Sequence, residues 1–293
     1  MSTDALIVAP TNDDALIDKW LKGKRRQSAH TQRAYRRDIE MFRQATGFKP
    51  LRAVNGGDAV SVADLEWYSV SLAEKGLSPS SQRRMIASVR SLLTYGLKVG
   101  YLAFNVGAAV DMDTPADTLP KRILSKSDVD MMLLSEPDRG KRAILRLAYV
   151  LAARVSELCA LRWGDVETTD TGYVFRIVGK GDKARSLFVD AEDIRADLDT
   201  LRARSTKTLV GVGPTQVWRY AREAAARAGL DRDANGDERH ISPHWLRHAA
   251  ISRAVQRGAP LSLVQEYAGH SSLAMTTRYA HAMPKEGLSK YLL

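Results

Sequence analysis

A proline-containing segment divides the chain into two parts that are each rich in helical patterns. Residues 111–124 include Pro115 and Pro120 and show no helical periodicity, which is typical of a linker. The chain has 293 residues, which is more than one ordinary small core requires. The sequence therefore predicts a helical domain over residues 1–110, a linker over 111–124, and a second domain with a C-terminal tail over 125–293.

Helix start signals recur in the first part of the chain. Ser61 and Asp64 have the spacing of a capping box, and Ser78-Pro79 places a capping side chain before a proline at the first helical position. Apolar residues recur at helical spacing after each signal. These patterns predict four helices, at about residues 15–21, 29–46, 61–75 and 78–98.

The second part is also largely helical, with one clear exception. Residues 173–178 alternate and are rich in β-branched and aromatic side chains, and 184–189 can form the returning strand after a turn at 179–182. Ser125 and Asp128 predict another capped helix. Further helices are predicted from about residue 141 and at about 191–204, 214–228, 243–257, 261–268 and 272–282. The predicted fold is mainly α with a small antiparallel β-sheet.

The charge balance favours a polyanionic partner. The chain has 44 Lys and Arg against 34 Asp and Glu, a formal net charge of +10. Residues 1–110 hold 16 basic and 10 acidic side chains, so +6 of that excess lies in the first part. Such an excess is typical of proteins that bind nucleic acid, although many basic proteins bind none.

Other features of composition limit the class of protein. The single cysteine, Cys159, excludes an internal disulfide and a zinc site built from cysteines. The most apolar stretch, residues 143–161, contains Arg146, Arg154 and Glu157, so we expect no membrane span. The N-terminus lacks a basic and then apolar signal. We therefore expect a cytoplasmic, nucleoid-associated protein.

Two segments place arginine where it can bind an anion. Arg154 lies in an otherwise apolar stretch, where burial of its charge is costly unless an anion compensates it. The alternative is a helix-end arginine paired with Glu157. His244 and Arg247 are three residues apart and can face one ligand from a helix. The alternative for these two residues is a solvated surface pair.

Tyr279 and Lys180 indicate a function only when they are considered together with the other motifs. Tyr279 follows a predicted helix end at Gly269, and a lone tyrosine near a C-terminus usually serves packing. Lys180 lies in the predicted hairpin turn, where lysine is usually solvated. His240, His244 and His248 are spaced by four, but Pro243 interrupts the first interval, and we predict no metal site.

Five motifs occur in a fixed order along the chain. They are Thr31-x-x-Ala34-Tyr35-x-x-Asp38, Leu151-x-x-Arg154-x-x-Glu157-Leu158, Gly179-Lys180-Gly181, His244-x-Leu246-Arg247-His248 and Gly269-His270-(x8)-Tyr279.

In this order and spacing, the motifs resemble the tyrosine recombinase (phage integrase) family, with a Xer-like two-domain architecture. The first part also resembles that family's helical core-binding domain, and the resemblance implies an α+β catalytic domain after it. Departures from the family pattern occur at Ala152-Ala153, Asn105-Val106 and Ala249, and none removes a catalytic residue.

The resemblance implies an active site for DNA strand cleavage. Arg154 and Arg247 are expected to bind the non-bridging oxygens of the scissile phosphate, since guanidinium groups match that geometry. Tyr279 is expected to attack the phosphorus atom and to form a 3′-phosphotyrosine, which conserves the bond energy for rejoining. The implied catalytic set is Arg154, Lys180, His244, Arg247, His270 and Tyr279.

The remaining members of the set are expected to handle protons. His244 is the family's expected proton acceptor for the tyrosine, and His270 is expected to donate to a phosphate oxygen or to position it. Lys180 is expected to protonate the 5′-hydroxyl leaving group. Neither a metal nor another cofactor is expected, and the chain has no G-x-x-x-x-G-K-[ST] phosphate-binding loop.

The expected partner is double-stranded DNA, held by both domains, with no membrane and no small-molecule substrate. The resemblance also implies self-association into a tetramer on paired DNA sites, through a C-terminal tail at residues 283–293. Candidate DNA-binding residues are Arg33, Arg36, Arg37, Arg83, Arg84, Gln216 and Arg219.

The expected function is site-specific recombination, in integration, excision or dimer resolution, and three alternatives remain open. The chain could be a non-catalytic DNA-binding regulator derived from the family. It could be a metal-dependent nuclease or transposase that uses carboxylates such as Asp165 and Asp182. It could also be a topoisomerase with the same chemistry, which would relax supercoils without site preference.

Overall fold

The computed structural model divides the chain into two compact units, Met1–Ala116 and Asp117–Leu293. The structure describes residues 9–23, 29–54, 56–110, 117–179, 183–205 and 207–282. Residues 180–182 of the predicted hairpin turn at 179–182, with Lys180, lie outside these residues. So do residues 111–116 of the predicted linker and the predicted tail at 283–293. Each unit has its own hydrophobic core and is described separately below.

The first unit is helical, as predicted. Ser61 Oγ accepts a hydrogen bond from the Asp64 backbone N–H, and the Asp64 carboxylate accepts one from the Ser61 backbone, so the predicted capping box is formed. Ser78 caps the last helix, with Pro79 at its first position. The helices are α1 (Asp13–Lys22), α2 (Ala29–Ala45), α3 (Val62–Glu74) and α4 (Pro79–Lys98).

Aromatic side chains form the centre of this first core. Trp20 stacks on Tyr35 with ring centroids 5.4 Å apart, and Phe42 meets Tyr68 edge to face at 5.2 Å. The side chains of Trp20 and Phe42 are fully buried. Such pairs add specific geometry to the general gain from apolar burial, so they fix α1 and α3 against α2.

The second unit contains more elements than the sequence predicts. The six-residue helix α7 was not expected, because six residues are too few to show helical periodicity. The other helices match the predicted positions within a few residues. The helices are α5 (Lys126–Leu134), α6 (Arg139–Val150), α7 (Val155–Ala160), α8 (Ala191–Arg202), α9 (Pro214–Arg227), α10 (Pro243–Gln256), α11 (Leu261–Ala268) and α12 (Leu273–Ala282).

One antiparallel sheet of three strands lies in the described part of this unit. Its order is β1 (Val166–Thr168), β2 (Gly172–Val178) and β3 (Ala184–Asp190). Phe175 pairs with Leu187 across β2 and β3, and both are buried. The alternation of β2 and β3 predicted this hairpin, whereas three residues are too few to reveal β1 from its sequence.

The segment that the sequence predicts as a linker contributes to the second core. Leu119, Ile123 and Leu124 are buried, and Pro120–Arg122 forms one 3₁₀ turn. Apolar side chains at these positions explain why residues 117–124 belong to the second unit. None of the described helices is long and apolar enough to cross a membrane.

Candidate active site

A cavity of about 260 Å³ in the second unit is lined by most of the expected catalytic residues. Five of the six expected catalytic residues line it. Arg154 lies just before α7, His244 and Arg247 lie on α10, His270 lies in the turn between α11 and α12, and Tyr279 lies on α12. The sixth, Lys180, lies outside the described residues. The lining residues are Thr118, Leu119, Arg122, Arg154, His244, Arg247, His248, His270, Met275, Arg278 and Tyr279.

Arg154 reaches the cavity because it immediately precedes α7. Its Nη1 donates to Glu157 Oε1 at 2.6 Å, and its Nη2 donates to the Gly269 carbonyl at 3.1 Å. The side chain remains 32% exposed. The pairing with Glu157 that the sequence offered as an alternative is therefore present, and it orients a guanidinium that also faces the cavity.

Glu157 is the centre of a buried ion-pair network. It accepts hydrogen bonds from Arg154 and from Arg185 on β3, where Nη2 lies 2.8 Å from Glu157 Oε2. Burial opposes ionisation of Glu157, but hydrogen bonds from Arg185 and from the backbone and side chain of Arg154 outweigh it and lower the pKa of this carboxyl. One carboxylate therefore serves two arginines, and the network keeps an excess of positive charge.

Arg247 is buried and is hydrogen-bonded to two backbone carbonyls. It is 4% exposed, and it donates to the carbonyls of Ala152 and Ala268, the latter at 2.6 Å. Burial, reinforced by the nearby charge of Arg154, lowers the pKa of Arg247 to about 10, so the side chain is charged at neutral pH. These contacts fix the direction in which its remaining N–H groups point.

The backbone that holds Arg247 has an unusual conformation. Ala152 has φ of 44°, in the left-handed region that a residue with a Cβ rarely adopts. The sequence resemblance marks this site as a departure from the family pattern. The strained residue is also the one whose carbonyl accepts from Arg247.

His270 enters the cavity through a glycine turn. Gly269 ends α11 with φ of 63°, a left-handed conformation that glycine adopts without strain. His270 Nδ1 lies 2.9 Å from Thr276 Oγ1, and its ring stacks on that of Tyr279 with centroids 6.0 Å apart. Burial and the neighbouring arginines lower the pKa of His270 to about 4, so it is neutral at neutral pH.

Tyr279 is buried at the edge of the cavity. It is 5% exposed, and burial raises the pKa of its phenol despite the opposing charges of Arg247 and Arg278. Its hydroxyl lies 2.6 Å from His248 Nδ1. In this structure, therefore, the tyrosine is un-ionised and bonded to an imidazole.

His244 is turned towards an aromatic neighbour. Its ring meets that of Trp218 edge to face, with centroids 6.0 Å apart. Burial, with the charges of Arg247 and Arg154, lowers the pKa of His244. Within the described residues it makes no hydrogen bond to Tyr279.

The charges of the described side chains make this site suitable for binding an anion. Arg154 and Arg185 pair with one carboxylate, Glu157, whose charge also acts on the buried Arg247, and the nearby histidines have lowered pKa values. Two of the three arginines line the cavity itself. Preorganised cations of this kind stabilise negative charge that grows during a reaction.

Comparison with known proteins assigns the chain to a family. Residues 123–286 match the model of the phage integrase family, and residues 17–98 match the N-terminal SAM-like domain of phage integrases. The chain is 31% identical over 268 residues to tyrosine recombinase XerC of Xanthomonas campestris pv. campestris (strain B100), which covers 89% of this chain and 81% of the relative. The chain belongs to the phage integrase family.

Two further matches agree with this assignment. Tyrosine recombinase XerD of Pseudomonas putida (strain KT2440) is 30% identical over 300 residues, covering 93% of this chain and 94% of the relative. The crystal structure of a lambda integrase dimer bound to a COC′ core site matches with a TM-score of 0.74 and 18% identity, over 95% of this chain and 80% of that one. The structural match supports the fold of both parts of this phage integrase family member.

Two site residues of this integrase-family protein were not singled out from the sequence. Arg185 was predicted only as part of a strand. His248 was named in the His244-x-Leu246-Arg247-His248 motif and as a rejected metal ligand, but it was given no role in the site. The position of His248 directly after Arg247 was visible, but its contact with Tyr279 spans 31 residues and needs the folded chain. Arg185 reaches Glu157 across 28 residues in the same way.

The predicted DNA-binding residues are mostly on exposed helix faces of the two units. Arg33, Arg36 and Arg37 are exposed on α2, and Arg219 is exposed on α9. Gln216 is half-buried and donates to Tyr220 Oη at 3.2 Å. Their role stays a prediction.

The two predicted DNA-binding arginines of α4 differ in setting. Arg84 is exposed and pairs with the buried Asp38, which also accepts from Ser88 Oγ at 2.8 Å. Arg83 is half-buried beside it. Arg84 thus compensates a buried carboxylate inside the first unit, in addition to any contact with DNA.

Proposed function

We propose that this protein is a site-specific DNA recombinase that cleaves and rejoins strands through a covalent 3′-phosphotyrosyl intermediate. One observation carries the proposal: Arg154, Arg247 and the buried Tyr279 line a single cavity of about 260 Å³. The proposal is further supported by relatives named tyrosine recombinase at 30–31% identity over most of the chain.

The two arginines would bind the scissile phosphate. A DNA phosphodiester repels nucleophiles by its own charge, and that charge increases on the non-bridging oxygens in the transition state. Arg154 and Arg247 can donate paired N–H groups to these oxygens. Because Arg247 is fixed by two carbonyls, it needs little rearrangement when the phosphate arrives.

Tyr279 would be the nucleophile. Its oxygen attacks phosphorus, the bond from phosphorus to the 5′-oxygen breaks, and the strand end is kept as a phosphotyrosine. His270, which stacks on Tyr279, would donate to a phosphate oxygen or position it. His244 is the proton acceptor that the family resemblance implies, and Lys180 would protonate the leaving 5′-oxygen.

The two predicted domains, residues 1–110 and 125–293, would close on double-stranded DNA. The basic residues predicted from the sequence would contact phosphates, which gives an affinity that falls with salt. Assembly into a tetramer through residues 283–293 is part of the same proposal. The lambda integrase that shares this fold was crystallised as a dimer on DNA, which supports self-association on DNA. The tetramer and the role of residues 283–293 are what the family resemblance implies.

The decisive experiment measures a covalent adduct. A target sequence is first selected from a random DNA pool, and a nicked suicide duplex carrying it is incubated with the protein. We expect an adduct that survives denaturation and forms in the presence of a chelator. Tyr279→Phe should form none, whereas Tyr173→Phe, a half-buried tyrosine of β2 outside the cavity, should form it normally.

Each contrary result has a definite meaning. An absent adduct with the wild type would favour a non-catalytic DNA-binding regulator. An adduct that persists in Tyr279→Phe would exclude this tyrosine as nucleophile. Cleavage that stops in chelator would favour a metal-dependent nuclease. Relaxation of supercoils with no sequence preference would favour a topoisomerase.

A further inference from the structure

The hydroxyl of the proposed nucleophile already has a hydrogen-bond partner, and this partner is not the one that the family resemblance implies. Tyr279 Oη lies 2.6 Å from His248 Nδ1. His244 instead directs its ring at Trp218 and, in the described part of the chain, makes no hydrogen bond with the tyrosine. The proton of the tyrosine is therefore in contact with a group outside the expected catalytic set.

The position of His248 ties the tyrosine to the phosphate-binding arginine. His248 follows Arg247 directly on α10, and both side chains line the same cavity. Arg247 is fixed by the carbonyls of Ala152 and Ala268, so this turn of α10 is fixed as well. Consecutive residues of one rigid helix turn thus contact the nucleophile and, in the proposed function, the phosphate.

The direction of the hydrogen bond follows from the protonation state of His248. Burial, with the positive charges around it, lowers the pKa of His248 to about 4, so one ring nitrogen carries a free lone pair at neutral pH. A phenol O–H is a stronger donor than an imidazole N–H, so Tyr279 donates and Nδ1 accepts. The described groups whose charges lower the pKa of His248 are His244 and Arg247 on α10, Arg122 in the preceding 3₁₀ turn and Arg278 on α12, and Tyr279 contacts the ring. A neighbouring cavity that His248 also lines adds the ionisable groups of Lys121, Asp233, Glu238, Arg239 and His240.

We infer that His248 Nδ1 accepts the hydroxyl proton of Tyr279 during DNA cleavage, and returns it during rejoining. This inference rests on the proposed function. In cleavage, the proton passes from Tyr279 Oη to Nδ1 while the bond from Oη to phosphorus forms. The bond to the 5′-oxygen breaks, and that oxygen takes a proton from the general acid assigned to Lys180.

The arrival of DNA makes His248 a better base. In the free protein the arginines around it disfavour a further positive charge on the ring. A phosphate bound by Arg154 and Arg247 in the same cavity adds negative charge and offsets this repulsion. Rejoining reverses the transfer, since the 5′-hydroxyl attacks phosphorus and the leaving tyrosine oxygen recovers its proton from His248.

Asparagine provides the matched substitution for this role. The Oδ1 atom of asparagine can occupy the place of imidazole Nδ1 and accept the hydroxyl, but it cannot take up a proton at neutral pH. His248→Asn therefore keeps the hydrogen bond and removes proton acceptance. His240→Asn serves as the control, because His240 is exposed and does not line the cavity that contains Tyr279. It lines the neighbouring cavity with His244 and His248, so the control also tests a histidine change close to the site.

The experiment measures the rate of adduct formation on the nicked suicide duplex at saturating protein. We expect His248→Asn to slow it about 10²–10⁴-fold at neutral pH, the usual contribution of a general base. The residual rate should rise with pH as the phenol ionises. Replacement of Tyr279 by a fluorinated tyrosine with a lower phenol pKa should restore much of the rate in His248→Asn. The His240→Asn variant should react like the wild type.

Two results would overturn the inference while leaving the proposed function intact. One is a wild-type rate in His248→Asn together with a loss in His244→Asn, which would return the role to His244. The other is a loss in His248→Asn that neither high pH nor the fluorinated tyrosine relieves, since that indicates a structural role.

The experiment separates misfolding of a variant from loss of proton acceptance. It also separates a failure of the proposed function from a failure of this inference. If His248→Asn does not retain the thermal midpoint of the wild type, His248→Gln is put through the same assay and the same rescue. If the wild-type protein forms no adduct at all, the proposed function fails first, and that outcome is seen before any variant is compared.

Discussion

Arg36 and Arg247, one arginine from each unit, show two opposite settings for a positive charge. In the first unit, Arg36 of α2 pairs with Asp18 of α1 at 2.6 Å, and both side chains are more than half exposed. In the second unit, Arg247 is 4% exposed and bonded to the carbonyls of Ala152 and Ala268. An exposed pair exchanges readily for a phosphate contact, whereas a buried arginine is oriented before the phosphate arrives. The first suits adaptable binding, and the second suits catalysis.

The largest expected effect concerns the buried arginine, Arg247. Arg247→Lys keeps a positive charge but loses the planar fork that reaches two carbonyls and a phosphate. We expect the rate of adduct formation to fall about 10²–10³-fold. Arg253→Lys, an exposed arginine on the same helix, is the control. An unchanged rate in Arg247→Lys would show that positive charge alone is sufficient. The difference between a preoriented buried arginine and an exposed one would then have no effect on catalysis.

The second prediction concerns the carboxylate between two arginines. Glu157→Gln leaves Arg154 and Arg185 without their shared counter-charge, so we expect the free energy of unfolding at neutral pH to fall by about 3 kcal/mol. Urea denaturation of the full chain measures it. The exposed Glu74→Gln at the end of α3 should change little.

The same variant makes a prediction about pH. The pKa of Glu157 is lowered in the folded protein, so its ionised form stabilises the fold above the ordinary carboxyl pKa. That contribution is lost as the pH falls through the folded pKa. Glu157→Gln should therefore have a flatter dependence of unfolding free energy on pH in the acid range. An equally steep dependence would contradict the lowered pKa.

A smaller effect tests the strain beneath Arg247. Ala152 and Ala153 are both buried, but only Ala152 has a positive φ. Each Ala→Gly change loses one methyl group, and only Ala152→Gly relieves strain. We expect Ala152→Gly to be more stable than Ala153→Gly by about 1–2 kcal/mol in unfolding free energy. Equal stabilities would indicate that the residue at 152 is unstrained.

The smallest expected effect concerns the exposed arginine, Arg36. Arg36→Ala should leave the free energy of unfolding nearly unchanged, because its ion pair is exposed. It should weaken DNA binding at all sequences and reduce the slope of log affinity against log salt by about 1. Lys75→Ala, exposed after α3, is the control. An unaltered slope in Arg36→Ala would remove this residue from the DNA-binding surface.

Local signals allowed most of the fold to be predicted. The boxes at Ser61 and Ser125 and the start at Ser78 each act within one helical turn, so the helices that follow could be located from a few neighbouring residues. Strand β1 and helix α7 could not be located in this way. They are too short to carry a pattern, and packing in the folded unit stabilises them.

The candidate site was only partly predictable, for the same reason. Arg154, Arg247 and Tyr279 were found through their spacing and the family resemblance. The contact of Tyr279 with His248 and that of Arg185 with Glu157 join residues 31 and 28 positions apart. No local periodicity encodes such pairs, because they depend on how helices and strands pack.

The position of Arg247 between two helix ends has a practical consequence for anyone who wishes to capture an uncleaved complex. The carbonyls that it binds follow α6 and end α11, where the helix dipoles are negative, so the side chain also joins these two segments. An inactive protein made by changing Arg247 would differ from the native one in architecture as well as in chemistry. Tyr279→Phe removes a single oxygen that has one hydrogen-bond partner among the described residues. It is therefore the better variant for trapping an uncleaved complex with a native-like structure.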